Sequence, residues 1–129
     1  MALNVLVVDD SAVMRKMIVR ALQLSGLPVA KVIEAGTGKT GLASALEQPV
    51  DLALLDINMP EMNGMALLAE LRKHPKTAEL PIVMVSTEGS EQRIEMIRES
   101  GAGFVRKPFT PESLVAAVVG AVGGVDDDE

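Results

Sequence analysis

The sequence predicts an α/β domain built on a doubly wound, five-stranded parallel sheet with five helices, and three observations support this prediction. Short apolar runs alternate five times with longer amphipathic stretches. Several runs are continuously apolar, as strands buried on both faces of a parallel sheet are. Capping and turn residues separate the two kinds of segment. Such alternation favours right-handed crossovers between parallel strands.

The five predicted strands are short and apolar. They cover residues 4–8, 29–33, 51–55, 82–86 and 103–106, with the sequences NVLVV, VAKVI, DLALL, IVMVS and GFVR. Each is followed by a stretch long enough for a helix, which the crossover between parallel neighbours requires.

The helices are predicted from caps and from helical periodicity. Ser11 is placed as the N-cap of the first helix, and Thr110 as that of the last, with Pro111 at a position where its missing N–H costs nothing. Glycines mark the expected helix ends at Gly26, Gly101 and either Gly120 or Gly123. The apolar face of the first helix is formed by Met14, Ile18, Ala21, Leu22 and Ser25.

Composition restricts the classes of function. The chain has 129 residues, 48% of them hydrophobic, which suits one domain with its own core. With no cysteine and one histidine, His74, it cannot form a disulfide, a thiolate metal site or a multi-histidine cluster. A net charge of −6 and only two aromatic residues predict no nucleic-acid binding. No apolar run approaches the roughly 20 residues that cross a bilayer, so we expect a cytoplasmic protein without membrane contact.

The segment EAGTGKTGL, residues 34–42, contains the Gly-Lys-Thr ending of a nucleotide phosphate loop. The full motif, G-x-x-x-x-G-K-[ST], would need its first glycine where Ile33 stands. Ile33 lies within a predicted strand, and this leaves only residues 35–37 as loop, too few to wrap phosphates. We therefore predict an ordinary strand-to-helix turn.

Charged or hydroxyl side chains stand at the carboxyl ends of four of the predicted strands. Asp9 and Asp10 follow the first, Asp56 ends the third, Ser86 ends the fourth, and Lys107 follows the fifth. In an open doubly wound sheet, ligands bind beyond these carboxyl ends. Clustered carboxylates repel one another, and oxygen ligands without Cys or His suit Mg²⁺. We call this edge of the sheet, with Asp9, Asp10, Asp56, Ser86 and Lys107, the rim. Because a carboxylate can also act as a nucleophile, the rim is typical of magnesium-assisted aspartyl phosphorylation.

Four motifs resemble the receiver domain of bacterial response regulators, and most of all the single-domain chemotaxis regulators of the CheY type. They are VLVVDDS, LLDINMPEMNG, VMVSTE and FVRKPF, and the resemblance runs from Val5 to about Val119. It implies a flavodoxin-like sheet with strand order 2-1-3-4-5. The expected domain covers residues 1–123, and the acidic residues 124–129 are expected to form a disordered tail.

The resemblance implies a role for each residue of the rim. Asp56 is the expected phosphoryl acceptor, with a sensor histidine kinase or a small molecule such as acetyl phosphate as donor. Ser86 and Lys107 are expected to bind the phosphoryl group, and Asn58 and Glu88 to tune self-dephosphorylation. The Lys107–Pro108 bond is usually cis in this family. The ligands implied for Mg²⁺ are Asp9, Asp10, Asp56 and the main-chain carbonyl of Asn58.

The implied output is a conformational switch. Ser86 and Phe104 are expected to move after phosphorylation and to remodel the surface of helix 4, strand 5 and helix 5 for a partner protein, in chemotaxis or motility. A flagellar motor switch protein and a histidine phosphotransfer protein are the two partner classes considered. Phe104 stands where chemotaxis regulators usually carry tyrosine, and Thr87 where alanine or glycine is common.

Two alternative functions use the same chemistry. A phosphorelay shuttle would pass the phosphoryl group to a phosphotransfer protein, and the sequence does not separate it from a chemotaxis switch. An aspartyl-phosphate phosphatase would need an acid two residues after the nucleophile, where Asn58 stands, and a cap domain. We therefore expect no enzymatic turnover beyond self-phosphorylation and self-dephosphorylation.

Overall fold

The computed structural model describes residues 2–87 and 90–122, in which five strands and five helices alternate along the chain. Each predicted strand is present, with boundaries that differ by at most two residues. The strands are β1 (Leu3–Val8), β2 (Val29–Ala35), β3 (Leu52–Leu55), β4 (Ile82–Ser86) and β5 (Gly103–Arg106). The helices are α1 (Ala12–Leu24), α2 (Gly38–Glu47), α3 (Gly64–Lys73), α4 (Glu91–Glu99) and α5 (Pro111–Val122). The tail predicted over residues 124–129 lies outside the described residues.

The strands form one parallel sheet in the order β2-β1-β3-β4-β5, and this confirms the predicted architecture. The register keeps the carboxyl ends of the central strands level. Val8, the last residue of β1, pairs with Ala35 of β2 and with Leu55 of β3. Residues that directly follow β1 and β3 therefore emerge side by side at the same edge of the sheet.

Two hydrophobic clusters cover the two faces of the sheet. Successive residues of β1 alternate between them, with Leu6 and Val8 in one cluster and Val5 and Val7 in the other. The first cluster includes buried side chains of α2, α3 and α4, and the second includes those of α1 and α5. β3 and β4 are buried along their whole length, whereas in β2 only Ala35 is buried, because β2 forms an edge of the sheet.

The predicted caps of α1 and α5 are present. The Ser11 hydroxyl accepts a hydrogen bond from the Met14 N–H at 3.1 Å, and the Thr110 hydroxyl accepts one from the Ser113 N–H at 3.0 Å. The Thr110 N–H in turn donates to the Ser113 hydroxyl at 2.9 Å, so that the last helix begins with a reciprocal capping pair.

Two of the predicted glycine stops are confirmed, and of the two alternatives given for the last helix, Gly120 is not the stop. Gly26 and Gly101 have φ angles of +83° and +82°, the left-handed conformation in which glycine ends a helix without a steric penalty. α5 continues through Gly120 to Val122. A glycine within a helix costs only about 1 kcal/mol, and Ala121 and Val122 beyond it pack against the second hydrophobic cluster. The alternative stop, Gly123, lies outside the described residues.

In the part of the chain that the structure describes, no helix is both long enough and apolar enough to cross a bilayer.

Candidate functional site

The level strand ends bring Lys107 against two of the three predicted carboxylates. Its ammonium nitrogen Nζ donates to Asp9 Oδ2 at 3.1 Å and to Asp56 Oδ1 at 3.2 Å. The three side chains are almost completely buried, with 12% of Lys107, 2% of Asp9 and 7% of Asp56 exposed. The Lys107–Pro108 bond is cis, as the resemblance implies. Residues 98 and 51 positions apart in sequence therefore form one ionic cluster.

Main-chain hydrogen bonds hold this rim in place. The Asp9 N–H donates to the Ala35 carbonyl at 3.1 Å, and the Asp56 N–H donates to the Val8 carbonyl at 2.9 Å. On the other side of the sheet, the Lys107 N–H donates to the Ser86 carbonyl at 3.0 Å. These bonds continue the parallel pairing one residue beyond the strands, so the side chains at the rim project from a rigid edge.

Asp10 completes a cluster of three acids. Asp9, Asp10 and Asp56 each offer a carboxylate oxygen, and these oxygens lie within 4.8 Å of one another. Asp10 is exposed, whereas the other two are buried, so the cluster opens to solvent on one side. Asn58 is exposed in the loop two residues after Asp56. Three carboxylates and one positive charge leave an excess of negative charge, and an all-oxygen donor set fits a hard cation such as Mg²⁺.

The electrostatics of Asp56 reflect its position. Burial raises the pKa of the Asp56 carboxyl above its usual value, and the neighbouring Asp9 carboxylate raises it further. The charge and hydrogen bond of Lys107 act in the opposite direction, and Asp10 adds a smaller increase in this pKa. The ionised form of Asp56 is thus held at a free-energy cost that Lys107 offsets only in part.

A close main-chain approach shapes the loop that follows Asp56. The Gly64 N–H donates to the Ile57 carbonyl at 2.8 Å, and a β-carbon at Gly64 would collide with the Asp56 carbonyl. The Asn63 side chain caps α3 by accepting from the Ala66 N–H at 2.9 Å. Sequence reasoning missed the role of Gly64. The Asn-Gly pair before an amphipathic stretch was the available signal.

The other predicted site residues differ in their surroundings. Ser86 is fully buried at the end of β4, and Thr87 beside it is exposed. Phe104 is half-buried and packs against the first hydrophobic cluster. The Arg106 guanidinium carbon lies 5.9 Å from the Phe104 ring centroid, within cation–π range. Glu88 lies outside the described residues.

The Gly-Lys-Thr segment forms the turn that the sequence predicts. The Thr37 hydroxyl caps α2 by accepting from the Thr40 N–H at 3.0 Å. Gly38 is buried, and a β-carbon there would lie 2.6 Å from the Met62 carbonyl oxygen. The glycine therefore allows α2 to pack against the loop before α3. Lys39 is exposed on the surface of α2.

Comparison with known proteins agrees with this geometry. Residues 5–119 match the family described as the response regulator receiver domain. The chain is 32% identical over 124 residues to a probable chemotaxis protein CheY of Rhizobium etli, covering 95% of both proteins. It is 37% identical over 115 residues to chemotaxis protein CheY1 of Helicobacter pylori, covering 87% of this chain and 90% of that protein.

A solved structure is similar over almost the same length. The chemotaxis protein CheY4 of Vibrio cholerae has a TM-score of 0.83 to this fold at 33% identity. The match covers 94% of this chain and 99% of that one.

Proposed function

Because the chain belongs to the response regulator receiver domain family and is a CheY-like component of two-component signalling, we propose that it is a switch controlled by phosphorylation of Asp56. The observation that carries this proposal is the position of the Lys107 ammonium, 3.1 Å from Asp9 and 3.2 Å from Asp56. A buried cation shared by two carboxylates is placed to neutralise further negative charge at the same rim.

Asp56 is the nucleophile in the proposed reaction. One carboxylate oxygen attacks the phosphorus of a phosphohistidine on a sensor kinase, or of acetyl phosphate. A P–O bond to Asp56 forms as the bond to the leaving group breaks, and the leaving group departs with the electron pair. The hydrogen bond from Lys107 to Asp56 Oδ1 orients the carboxylate for this attack.

The rest of the rim stabilises charge. Asp9, Asp10, Asp56 and the main-chain carbonyl of Asn58 would hold Mg²⁺, which when bound withdraws charge from the phosphoryl oxygens. Lys107 supplies a second positive group, and the Ser86 hydroxyl would donate to a phosphoryl oxygen. Asn58 and Glu88 would tune the lifetime of the acyl phosphate, as the family resemblance implies for these two positions.

The proposed output involves α4, β5 and α5. Phosphorylation adds charge and acceptor oxygens, which draw Ser86 toward the phosphoryl group and let Phe104 turn inward. Phe104 lines a surface cavity of about 380 Å³ together with Ile94, Ile97 and Arg106. The remodelled surface would bind a flagellar motor switch protein or a phosphotransfer protein, and the chemotaxis names of the relatives favour the first.

Intact mass spectrometry after incubation with acetyl phosphate tests the proposal. We expect one phosphoryl group on the wild type in the presence of Mg²⁺, and none in its absence or on Asp56→Asn. Asp51→Asn is the matched control, because Asp51 is an exposed carboxylate at the opposite end of β3. Folded wild type that binds Mg²⁺ and gains no phosphoryl group would contradict the proposal.

A further inference from the structure

Arg15, in the first turns of α1, links the rim to the edge strand of the sheet. Its Nε donates to Glu34 Oε1 of β2 at 2.9 Å, and its Nη1 donates to the Asp9 main-chain carbonyl at 2.7 Å. The Arg15 side chain is 19% exposed, and that of Glu34 is 44% exposed. The ion pair alone would contribute little at such exposure. The bond to the Asp9 carbonyl is the unusual part, because it reaches the main chain of the acidic cluster.

With the bond from Arg15, the N–H, the carbonyl and both carboxylate oxygens of Asp9 each make a hydrogen bond. Its N–H donates to the Ala35 carbonyl at 3.1 Å, and its carbonyl accepts from Arg15. Its carboxylate accepts from the Ser11 N–H at 2.9 Å and from Lys107 at 3.1 Å. The peptide plane between residues 9 and 10 therefore has a fixed orientation. That orientation sets the direction in which the chain, and with it Asp10, leaves the sheet.

Of the three acids, Asp10 is the one whose position depends most on the orientation of this peptide plane. It is exposed, whereas Asp9 and Asp56 are fixed by burial and by the Lys107 ammonium. Its carboxylate must nevertheless reach within 4.8 Å of theirs. The side-chain entropy lost on cation binding is smaller when the main chain already points Asp10 into the cluster.

We propose that Arg15 is a positioning residue for divalent cation binding, acting through the Asp9 carbonyl to hold Asp10 in the carboxylate cluster. The inference rests on the proposed function, since it requires that the cluster binds Mg²⁺. The two acceptors, one on β2 and one on the loop after β1, suit the fixed fork of a guanidinium. A lysine could donate to one of them but would not hold both in this geometry.

The sign of the expected effect separates positioning from simple charge. Arg15 is a cation near a cation site, so removal of its charge alone would tighten Mg²⁺ binding. Loss of positioning would weaken it, as removal of groups that orient metal ligands does, typically by about 10-fold or more. A weaker affinity in a variant with one positive charge fewer is therefore specific to positioning.

Isothermal titration of Mg²⁺ into metal-free protein tests the inference. We expect Arg15→Met to bind about 10-fold more weakly than wild type, and Arg15→Lys to be intermediate. The matched control is Arg98→Met, which removes an arginine paired with Glu95 at 3.1 Å on the exposed side of α4, and it should bind as wild type does. Circular dichroism confirms that each variant is folded at the temperature of titration. If Arg15→Met is unfolded, Arg15→Lys decides the comparison.

A double-mutant cycle identifies Asp10 as the residue that Arg15 positions. In an Asp10→Asn background, Arg15→Met should cost less than 3-fold in Mg²⁺ affinity, because the side chain it positions no longer bears a charge. Folded Arg15→Met that binds Mg²⁺ as tightly as wild type, or more tightly, would overturn the inference and leave the proposed function intact. Wild type without Mg²⁺ affinity would overturn the inference together with the proposed function.

Discussion

Lys107 and Arg72 are two shielded cations at different ends of the molecule, and their partners differ in kind. Lys107 follows β5 at the rim and donates to two carboxylates. Arg72, near the end of α3, donates only to main-chain carbonyls in the hydrogen bonds that the structure describes. Its Nε donates to Ser100 at 3.0 Å, and its Nη1 to Leu80 at 2.8 Å, with longer bonds to Ala78 at 3.3 Å and Thr77 at 3.4 Å.

This difference separates structural from chemical use of a buried charge. Burial lowers the pKa of the Arg72 guanidinium, while Glu79 acts to raise it. The acceptors of Arg72 are neutral and permanent, so they tie the α3–β4 loop to the end of α4 in one arrangement. The partners of Lys107 are carboxylates, whose charge would change on the cation binding and phosphorylation proposed for this site. Pairing with an excess of carboxylates therefore marks a site that can respond.

The largest expected effect distinguishes the two cations in phosphorylation. Lys107→Met should slow phosphorylation of Asp56 by acetyl phosphate about 100-fold, because a preorganised positive group is removed from the rim. Arg72→Met, measured at a temperature where it is folded, should be phosphorylated at a rate within about 2-fold of that of the wild type. The described hydrogen bonds of Arg72 involve neither Asp56 nor Lys107. The rate of mass gain measures both. A similar loss in the two variants would contradict the distinction.

The next effect concerns the free energy of unfolding, and here we expect the larger change from substitution of Arg72. Arg72→Met should lower the free energy of unfolding by about 2 to 4 kcal/mol, because partly buried carbonyls lose their donor. Arg98→Met is the control, since it removes only an exposed pair with Glu95 and should cost less than about 0.5 kcal/mol. Urea denaturation followed by circular dichroism gives both values. If Arg72→Met were as stable as Arg98→Met, the carbonyl contacts of Arg72 would not be structural.

A smaller effect tests the cost of charge at the rim. Asp56→Asn should raise the free energy of unfolding at neutral pH by about 1 kcal/mol in the absence of divalent cations, because an excess buried charge is removed. The pKa of Asp56 is raised in the folded state. The stability that this raised pKa contributes is therefore fully present at pH values below the pKa of Asp56 in the unfolded state. It is lost as the pH rises through the pKa of Asp56 in the folded state. The advantage of Asp56→Asn should therefore grow with pH in this window.

Denaturation of wild type and Asp56→Asn at pH values from about 4 to 8 measures this difference. An advantage that shrinks as pH rises would have the wrong sign. It would show that the lowering of the Asp56 pKa by Lys107 exceeds the raising of this pKa by burial and by the neighbouring carboxylates.

The smallest effect concerns the cation on the output side. Arg106 lies over the ring of Phe104, and an exposed cation–π contact contributes roughly 0.5 to 1 kcal/mol. A double-mutant cycle of Arg106→Gln and Phe104→Leu, read by urea denaturation, should give a coupling energy of this size. The cycle cancels other interactions of Arg106. A coupling energy of zero would remove the ring contact as a feature of the resting state.

Much of the fold could be predicted because the signals are local. Apolar runs, the caps at Ser11 and Thr110, and glycines with positive φ act within a few residues, and the strands appear where the sequence places them. α5 continues past Gly120, the earlier of its two predicted stops, because it is stabilised by packing against the core as well as by its own residues. The charged residues Lys31 and Glu34 of β2 are exposed, as expected for a strand at the edge of the sheet.

The candidate site could be predicted in part for the same reason. Asp9, Asp10, Asp56 and Lys107 follow strand ends, and parallel strands bring such ends together. The contacts of Arg15 and Arg72, and the close approach at Gly64, involve main-chain carbonyls outside the helix to which each of these residues belongs. A carbonyl is present at every residue, so the sequence does not distinguish those that accept a side chain.

The most direct test of phosphorylation at Asp56 locates the phosphoryl group itself. Protein treated with acetyl phosphate and Mg²⁺ is reduced with borohydride, which converts an aspartyl acyl phosphate to homoserine and leaves free carboxylates unchanged. Peptide mapping by tandem mass spectrometry then reads each position. We expect homoserine at position 56 in the wild type and much less of it in Lys107→Met. Homoserine at position 9 or 10, or none in folded protein that binds Mg²⁺, would contradict phosphorylation at Asp56.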